Sequence, residues 1–321
     1  MGEFELIRNY FAAAPCAQDG EGVALGIGDD CALLALTPGE QLAISTDTLV
    51  AGVHFPHACD PFLLGQRALA VSASDLAAMG ARPVAFTLAL TLPQVEAAWL
   101  QAFAEGLNLM AQGCSLRLVG GDTTRGPLSL TLTVFGAVPV GQALTRSGAR
   151  EGDLLCVGGA LGDAAAALPL VLNQRSAEPS IAEPLLARYW SPQPQLALGQ
   201  ALRGKATAAL DISDGLLADC GHIARSSAVR LLVERDKLPM SAPLLQLFDL
   251  PAAQQAALSG GDDYLLAFTL PPEQLTGLLD AGWPVHVIGR VVEGQGVALL
   301  DADGQDITPA ALGYQHFRSE V

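Results

Sequence analysis

The acidic residues of this chain gather at glycine- and hydroxyl-rich points, and that placement constrains the fold more than any other feature. The motifs read Gly26-Ile27-Gly28-Asp29-Asp30, Ser45-Thr46-Asp47-Thr48, Gly120-Gly121-Asp122-Thr123-Thr124, Asp211-Ile212-Ser213-Asp214-Gly215 and Gly260-Gly261-Asp262-Asp263-Tyr264. Glycine lets backbone approach a phosphate closely, and carboxylates with hydroxyls are the hard oxygen donors that Mg2+ prefers. Carboxylates alone repel a polyphosphate, so the combination makes sense when several metal ions sit between the two. A single tract of this kind is ordinary turn and N-cap chemistry. Several in one chain point to phosphoryl transfer. Asp75 adds to the set, because it lies in the otherwise apolar segment Ala68–Ala81, where a charge needs a partner or a metal.

A length of 321 residues fits about two domains with a sizeable core. The most apolar stretch, Val84–Phe103, is interrupted by Pro93, Gln94 and Glu96, so it reads as a strand plus a helix and not as a membrane span. The start, Met1-Gly2-Glu3-Phe4-Glu5, has neither the basic nor the apolar region of a signal peptide, and a cytoplasmic location is expected. Cys16, Cys31, Cys59, Cys114, Cys156 and Cys220 are widely spaced and form no Cys-x-x-Cys pair, which points to reduced thiols. A net charge of −16 disfavours nucleic acid and anionic membrane as partners.

Periodicity predicts helices over 3–14, 62–79, 94–112, 162–172, 182–202 and 216–225. It predicts strands over 31–36, 41–50, 84–92, 116–119, 128–138, 154–157, 206–210, 230–234, 264–269 and 285–292. The Ser45–Thr48 and Gly120–Asp122 motifs are expected as loops at strand ends. Both halves mix strands and helices, giving an α/β to α+β class with two domains, 1–140 and 150–321, and a boundary near 141–152.

Some local matches do not survive their context. Gly199–Ala206 mimics a phosphate-binding loop, but it follows a helix and precedes a strand, and Ala206 replaces the metal-binding hydroxyl. Gly26-x-Gly28-x-x-Cys31 lacks the third glycine of a dinucleotide fingerprint. His54-x-x-His57-x-Cys59 has no distant second pair of zinc ligands. His54 fits better as a polar contact to substrate.

Taken together, Gly26–Leu34, Ile44–Phe55, Ala70–Pro83, Gly120–Gly126, Ala143–Asp153, Asp211–His222, Gly260–Tyr264 and the terminal Gly313-Tyr314-x-His316-Phe317 resemble the thiamine-monophosphate kinases. These belong to the superfamily of aminoimidazole ribonucleotide synthetase and selenide water dikinase, and the resemblance spans nearly the whole chain. It implies an N-terminal α/β domain whose strands join those of a second subunit in a homodimer, plus an α+β C-terminal domain. It implies ATP and thiamine monophosphate as substrates. Asp30, Ser45, Thr46, Asp47, Asp75, Asp122, Asp211 and Asp214 would then hold Mg2+ ions, Gly121, Arg146 and Ser213 would contact ATP, and His54, Asp262 and Tyr314 would contact thiamine phosphate. The chain departs from the family pattern at Leu265 (commonly glutamate), Ser72 (commonly asparagine) and Gly158-Gly159-Ala160 (often Thr-Gly-Thr), positions expected to stay clear of the metal ligands. The residues alone leave two alternatives open. One is a related phosphotransferase or ligase acting on another small molecule, and the other is a nucleotide-binding module without turnover. Cys16 follows Pro15 and lies outside any glycine-rich loop, which counts against a selenide dikinase.

Overall fold

The computed structural model describes residues 3–18 and 20–314, and the chain divides into two compact units. One holds the chain up to Leu76 with Ala81–Ala143 and Trp190–Leu196; the other holds Ala77–Gly80, Leu144–Tyr189 and the chain from Ala197 on. Both mix strands and helices, as the sequence predicts.

The first unit opens with α1 (Glu3–Leu6), which continues as a π-helical segment, Ile7–Ala12. It proceeds through β1 (Val23–Leu25), β2 (Leu33–Leu34), β3 (Glu40–Val50), α2 (Pro61–Ala78), β4 (Arg82–Leu92), α3 (Ala97–Cys114), β5 (Arg117–Arg125) and β6 (Ser129–Pro139). The last four long strands form one sheet in the order β3-β6-β4-β5. β4 and β5 run parallel because α3 carries the chain back between them, whereas β6 is antiparallel to both of its neighbours. On α3 the buried residues Leu100, Phe103, Leu107 and Met110 recur at helical spacing, which fixes the face it turns inward. Gly106 lets α2 approach: a Cβ there would fall 1.9 Å from the Phe62 carbonyl oxygen. α2 in turn lays Leu76 over Gly136 of β6. The opposite sheet face carries hydroxyl pairs, Thr46 with Thr133 and Thr48 with Thr131, each at 2.9 Å. Leu42 and Ile44 also lie on it, 40% and 58% exposed. The β1–β2 hairpin covers one end of that face through Leu34 and Phe135.

The second unit contains β7 (Leu154–Val157), α4 (Asp163–Val171), α5 (Pro179–Trp190), α6 (Leu196–Leu202), β8 (Ala208–Asp211), α7 (Leu216–Ser227) and β9 (Arg230–Glu234). It continues with α8 (Ala242–Leu247), α9 (Leu250–Ser259), β10 (Leu266–Leu270), α10 (Pro272–Asp280), β11 (His286–Val292) and β12 (Gly296–Leu300). Its sheet has the order β12-β9-β11-β7-β10-β8, antiparallel except where β12 meets β9. β10 pairs on both edges and every residue in it is buried, which is why it reads as an unbroken apolar run.

Several boundaries differ from the sequence reading. The Ser45–Thr48 motif lies inside β3, and Gly120–Asp122 lies inside β5, which bulges by one residue, Val119, opposite Phe86 and Thr87 of β4. Neither is a loop. The helix expected over 182–202 is two helices, since Pro192 and Pro194 supply no N–H to a continuing helix. The strand expected over 31–36 shrinks to Leu33–Leu34. The strand expected from Tyr264 begins at Leu266, because Tyr264 adopts a φ of 49° that no strand accommodates. Gly199–Ala206 ends a helix and precedes a strand, as its exclusion requires. No helix among the described residues is long and apolar enough to cross a membrane.

Candidate active site

In the first unit, strand alternation puts Ser45 and Asp47 on the same face of β3, toward α2. There the Ser45 hydroxyl donates to the Asp75 carboxylate. Burial, then the Asp75 charge, push the Asp47 carboxyl up to about 6, with a hydrogen bond from Ser72 working in the other direction. Ser72 therefore does touch an inferred metal ligand, contrary to expectation: it lies one helical turn before Asp75, and its hydroxyl oxygen also lies 3.3 Å from the Ala68 carbonyl, which competes for the same proton. Thr46, one residue out of phase, turns to the other sheet face and spends its hydroxyl on Thr133.

Three further candidates share a cavity of about 830 Å3 in this unit: Asp30, Gly121 and Asp122 line it, with Asp29, Arg8 and Phe11. Gly121 is required by the backbone. Its φ is +151° and a Cβ would lie 1.9 Å from the Leu88 carbonyl oxygen across the parallel pairing. Two of these carboxylates orient their own backbone, Asp29 accepting from the Asp30 N–H at 2.8 Å and Asp122, within β5, from the Thr123 N–H at 2.9 Å. His54 sits in the turn after β3, where its Nδ1 accepts the Val50 N–H at 2.9 Å, so Nε2 carries the proton in the neutral ring. His57 packs over Gly52.

In the second unit, three loops are stitched together by main-chain hydrogen bonds. The Asp262 N–H donates to the Ser213 carbonyl at 2.8 Å, the Tyr264 N–H to Ile212 at 2.8 Å and the Tyr314 N–H to Asp214 at 3.0 Å. Asp211, Ser213, Asp214, Asp262 and Tyr314 are thereby assembled by backbone. Asp262 and Tyr264 pay with positive φ, 61° and 49°, the sort of strain that persists where its surroundings over-determine it. The Tyr264 hydroxyl bonds the Asp262 carboxylate at 3.0 Å. Beneath the first loop, the buried Asp219 accepts the N–H groups of Ser213, Asp214 and Gly215. Burial and the nearby Asp214 charge raise its carboxyl to about 7, with those N–H bonds opposing. The loop's backbone donors are thus turned inward to Asp219, and the loop presents side chains, not a cradle of N–H groups.

Arg146 belongs to the same neighbourhood. Burial, then the Arg146 and Arg225 charges, lower the His222 pKa, while Asp214 acts on the same ring in the opposite sense. Ser227 ties the segment down, donating to the Arg146 carbonyl and accepting the Gly148 and Ala149 N–H groups. Ser72, Asp219 and His222 are the residues that sequence reasoning missed as site neighbours. The available signal for Asp219 was its place four residues after Gly215, in the first turn of α7. Leu265, where the chain departs from the family pattern, is buried in the core of this unit and packs over Gly159. His316 and Phe317 of the terminal motif lie outside the described residues.

The donor set suits Mg2+ in one particular way. Among the described residues, no group of three or more His, Cys, Asp or Glu side chains forms a metal cage. Mg2+ does not require one, since it keeps waters and takes one or two carboxylates together with substrate phosphates. The facing Asp47 and Asp75, with Ser45 between β3 and α2, are such a partial set, and the raised Asp47 marks a site short of positive charge.

Residues 28–138 match the AIR synthase related protein, N-terminal domain, and 150–301 match the C-terminal domain of the same family. The chain is 46% identical to thiamine-monophosphate kinase of Escherichia coli (strain K12), covering 98% of each, and 34% identical to that of Bacillus subtilis (strain 168), covering 99% and 100%. Among solved structures it resembles thiamine-monophosphate kinase from Stenotrophomonas maltophilia K279a, with a TM-score of 0.86 and 44% identity over 95% and 98% of the two chains. It also resembles AaThiL complexed with AMPPCP and TMP, with a TM-score of 0.80 and 31% identity over 88% and 89%. With acidic motifs on the same framework as these relatives along nearly its whole length, the chain belongs to the thiamine-monophosphate kinase family of AIR synthase related proteins.

Proposed function

We propose that this protein phosphorylates thiamine monophosphate with ATP, giving thiamine diphosphate and ADP, by direct in-line transfer. The observation that carries the reading is the facing Asp47–Asp75 pair beside Ser45, a hard oxygen donor set suited to a cation that also takes phosphate oxygens. Identity to thiamine-monophosphate kinases over the full length supports the choice of substrate. Asp30, Asp47, Asp75, Asp122, Asp211, Asp214 and Ser45 would hold Mg2+, with Thr46 contributing through its carbonyl because its hydroxyl is committed to Thr133. Bound Mg2+ supplies the positive charge that lets two phosphate groups approach.

The chain's own groups do the rest. Gly121 opens the cavity beside Asp122 to a nucleotide, and Arg146 and Ser213 contact ATP. His54, with Nε2–H as donor, and Asp262 and Tyr314 receive thiamine phosphate. The acceptor phosphate has a second pKa of about 6 and is mostly dianionic at neutral pH. It needs no general base. Its oxygen forms the new P–O bond as the bond from the γ-phosphorus to the bridging oxygen breaks, and ADP leaves with that electron pair. In this reading 1–140 is the nucleotide- and metal-binding domain and 150–321 the second domain, working in the cytoplasm.

Incubation with ATP, Mg2+ and thiamine monophosphate should yield thiamine diphosphate, with free thiamine a poor acceptor; equal turnover of free thiamine would overturn the reading. Labelling from γ-labelled ATP without acceptor should leave the protein unmodified, and a competent labelled protein would overturn direct transfer. The open sheet face, with Leu42 and Ile44 exposed on the long edge strand β3, supports a homodimer formed through that face. Light scattering should report a dimer for the wild type and a monomer for Ile44→Asp.

A further inference from the structure

We propose that Asp219 is a positioning residue for the reaction, the anchor that holds the Asp211–Gly215 loop in the shape to which the Asp262 and Tyr314 loops attach. The inference rests on the functional reading above and deepens it. Asp219 is 5% exposed. Its Oδ2 accepts three consecutive peptide N–H groups, from Ser213 at 3.0 Å, Asp214 at 3.0 Å and Gly215 at 3.1 Å. Carbonyls of the same strip face the other way. Ile212, Ser213 and Asp214 accept the N–H groups of Tyr264, Asp262 and Tyr314. One buried oxygen therefore fixes one edge of a ribbon whose other edge carries both loops assigned to thiamine phosphate.

Helix capping alone does not account for this arrangement. A capping side chain precedes the helix and accepts from its first turn, as Asp249 does for Ala252 at the start of α9. Asp219 reaches back from the first turn of α7, as the inner residue of a capping box does to the N-cap N–H. Beyond the N–H of the N-cap Gly215, it also takes those of Ser213 and Asp214, while Gly215 offers no side chain. Close contacts lock the ribbon on its far side. A Cβ on Gly261 would lie 2.6 Å from the Ser213 carbonyl oxygen, and one on Gly313 would lie 2.4 Å from that of Asp214. With both loops seated so tightly, loss of the Asp219 anchor shifts them together.

The test compares Asp219→Ala with Asp219→Asn, because asparagine keeps an oxygen for the three N–H groups and alanine leaves them without an acceptor. Wild type and variants are assayed for thiamine diphosphate formation, for thiamine monophosphate binding without nucleotide, and for amide exchange over 211–216 and 260–264. The expected result is a loss of kcat/KM of about 100-fold for Asp219→Ala, with weakened thiamine monophosphate binding and faster exchange in both segments, and retention within about 10-fold for Asp219→Asn. If the alanine variant does not fold, Asp219→Ser replaces it, its hydroxyl being too short to reach the three groups. A folded Asp219→Ala protein with wild-type kinetics and protection would overturn the proposal, as would equal damage from Asn and Ala. A wild type that binds thiamine monophosphate without turning it over would instead overturn the kinase reading, and the exchange comparison would still decide the anchor.

Discussion

The two units hold their acidic residues by opposite means. In the first, three of the four inferred ligand carboxylates stand on regular elements, Asp47 on β3, Asp75 on α2 and Asp122 on β5, with Asp30 alone in a bend. Rigid secondary structure fixes their spacing, so the cost appears as charge, in an Asp47 that resists ionisation beside Asp75. In the second, Asp214 and Asp262 stand on irregular backbone that is sewn by main-chain hydrogen bonds and anchored on Asp219. The cost there appears as conformation, in the positive φ of Asp262 and Tyr264. Substitutions in the first unit should therefore change chemistry with little change in fold. In the second they should change geometry.

The largest expected effect tests the first half of that contrast. Asp47→Asn, Asp75→Asn and Asp122→Asn each keep shape and remove charge, and each should lower kcat by about 100-fold or more, roughly 3 kcal/mol of transition-state stabilisation. Circular dichroism and the unfolding midpoint should stay near wild type. Near-wild-type turnover at saturating Mg2+ would remove the residue from the site, and unfolding would break the contrast.

A backbone exception within the first unit comes next. Gly121→Ala must accommodate a Cβ 1.9 Å from the Leu88 carbonyl oxygen at a φ of +151°, so β4 and β5 have to separate. We expect about 3 kcal/mol of destabilisation, read from the urea midpoint. Gly28→Ala is the control: its φ is +135°, but nothing lies within 4 Å of the added Cβ. It should cost about 1–2 kcal/mol from backbone strain alone. Equal effects would show that the clash at Gly121 relaxes freely.

These residues also show what the sequence made legible. The apolar periodicity of α3 and the β-rich run of β6 locate their elements to within a few residues, because burial on one face imposes a period. The acidic motifs identify the candidate residues, but not their setting. Ser45–Thr48 reads as a loop from its polar side chains, yet alternation hides Asp47 and turns Thr46 outward, a distinction that appears only once β3 is paired with β6. Gly120–Asp122 reads as a turn from its glycines, which a bulged strand also needs. The role of Asp219 was faint for a different reason, its place in the first turn of α7 being the one signal. Its partners are peptide N–H groups, which carry no side-chain signature. The short elements α8 and β12 offer too few residues for a period to emerge.

A smaller effect probes packing in the second unit. Leu265→Glu restores the residue common in the family, but here the side chain is buried in an apolar cluster, over Gly159. A loss of about 2 kcal/mol is expected, greater at neutral than at acid pH because the ionised form bears the burial cost. A neutral single substitution would show that the Glu side chain finds its way out to solvent.

The smallest effect separates charge from shape at Asp47. Its carboxyl in the folded protein titrates near 6, above the ordinary 3.8. Between those values the folded state retains a proton that the unfolded chain has released, so stability falls as pH rises through the window, and the loss is complete above about 6. Asp47→Asn carries no such proton. In the absence of metal the variant and wild type should melt together near pH 4. Above pH 7 the variant should melt higher, by on the order of 2 °C, because the position is partly open to solvent, which screens much of the repulsion. Added Mg2+ should raise the wild-type melting temperature more than that of the variant and so close the gap. A difference that does not vary with pH would mean that Asp47 acts through shape and hydrogen bonding, and that the first unit is held as the second one is.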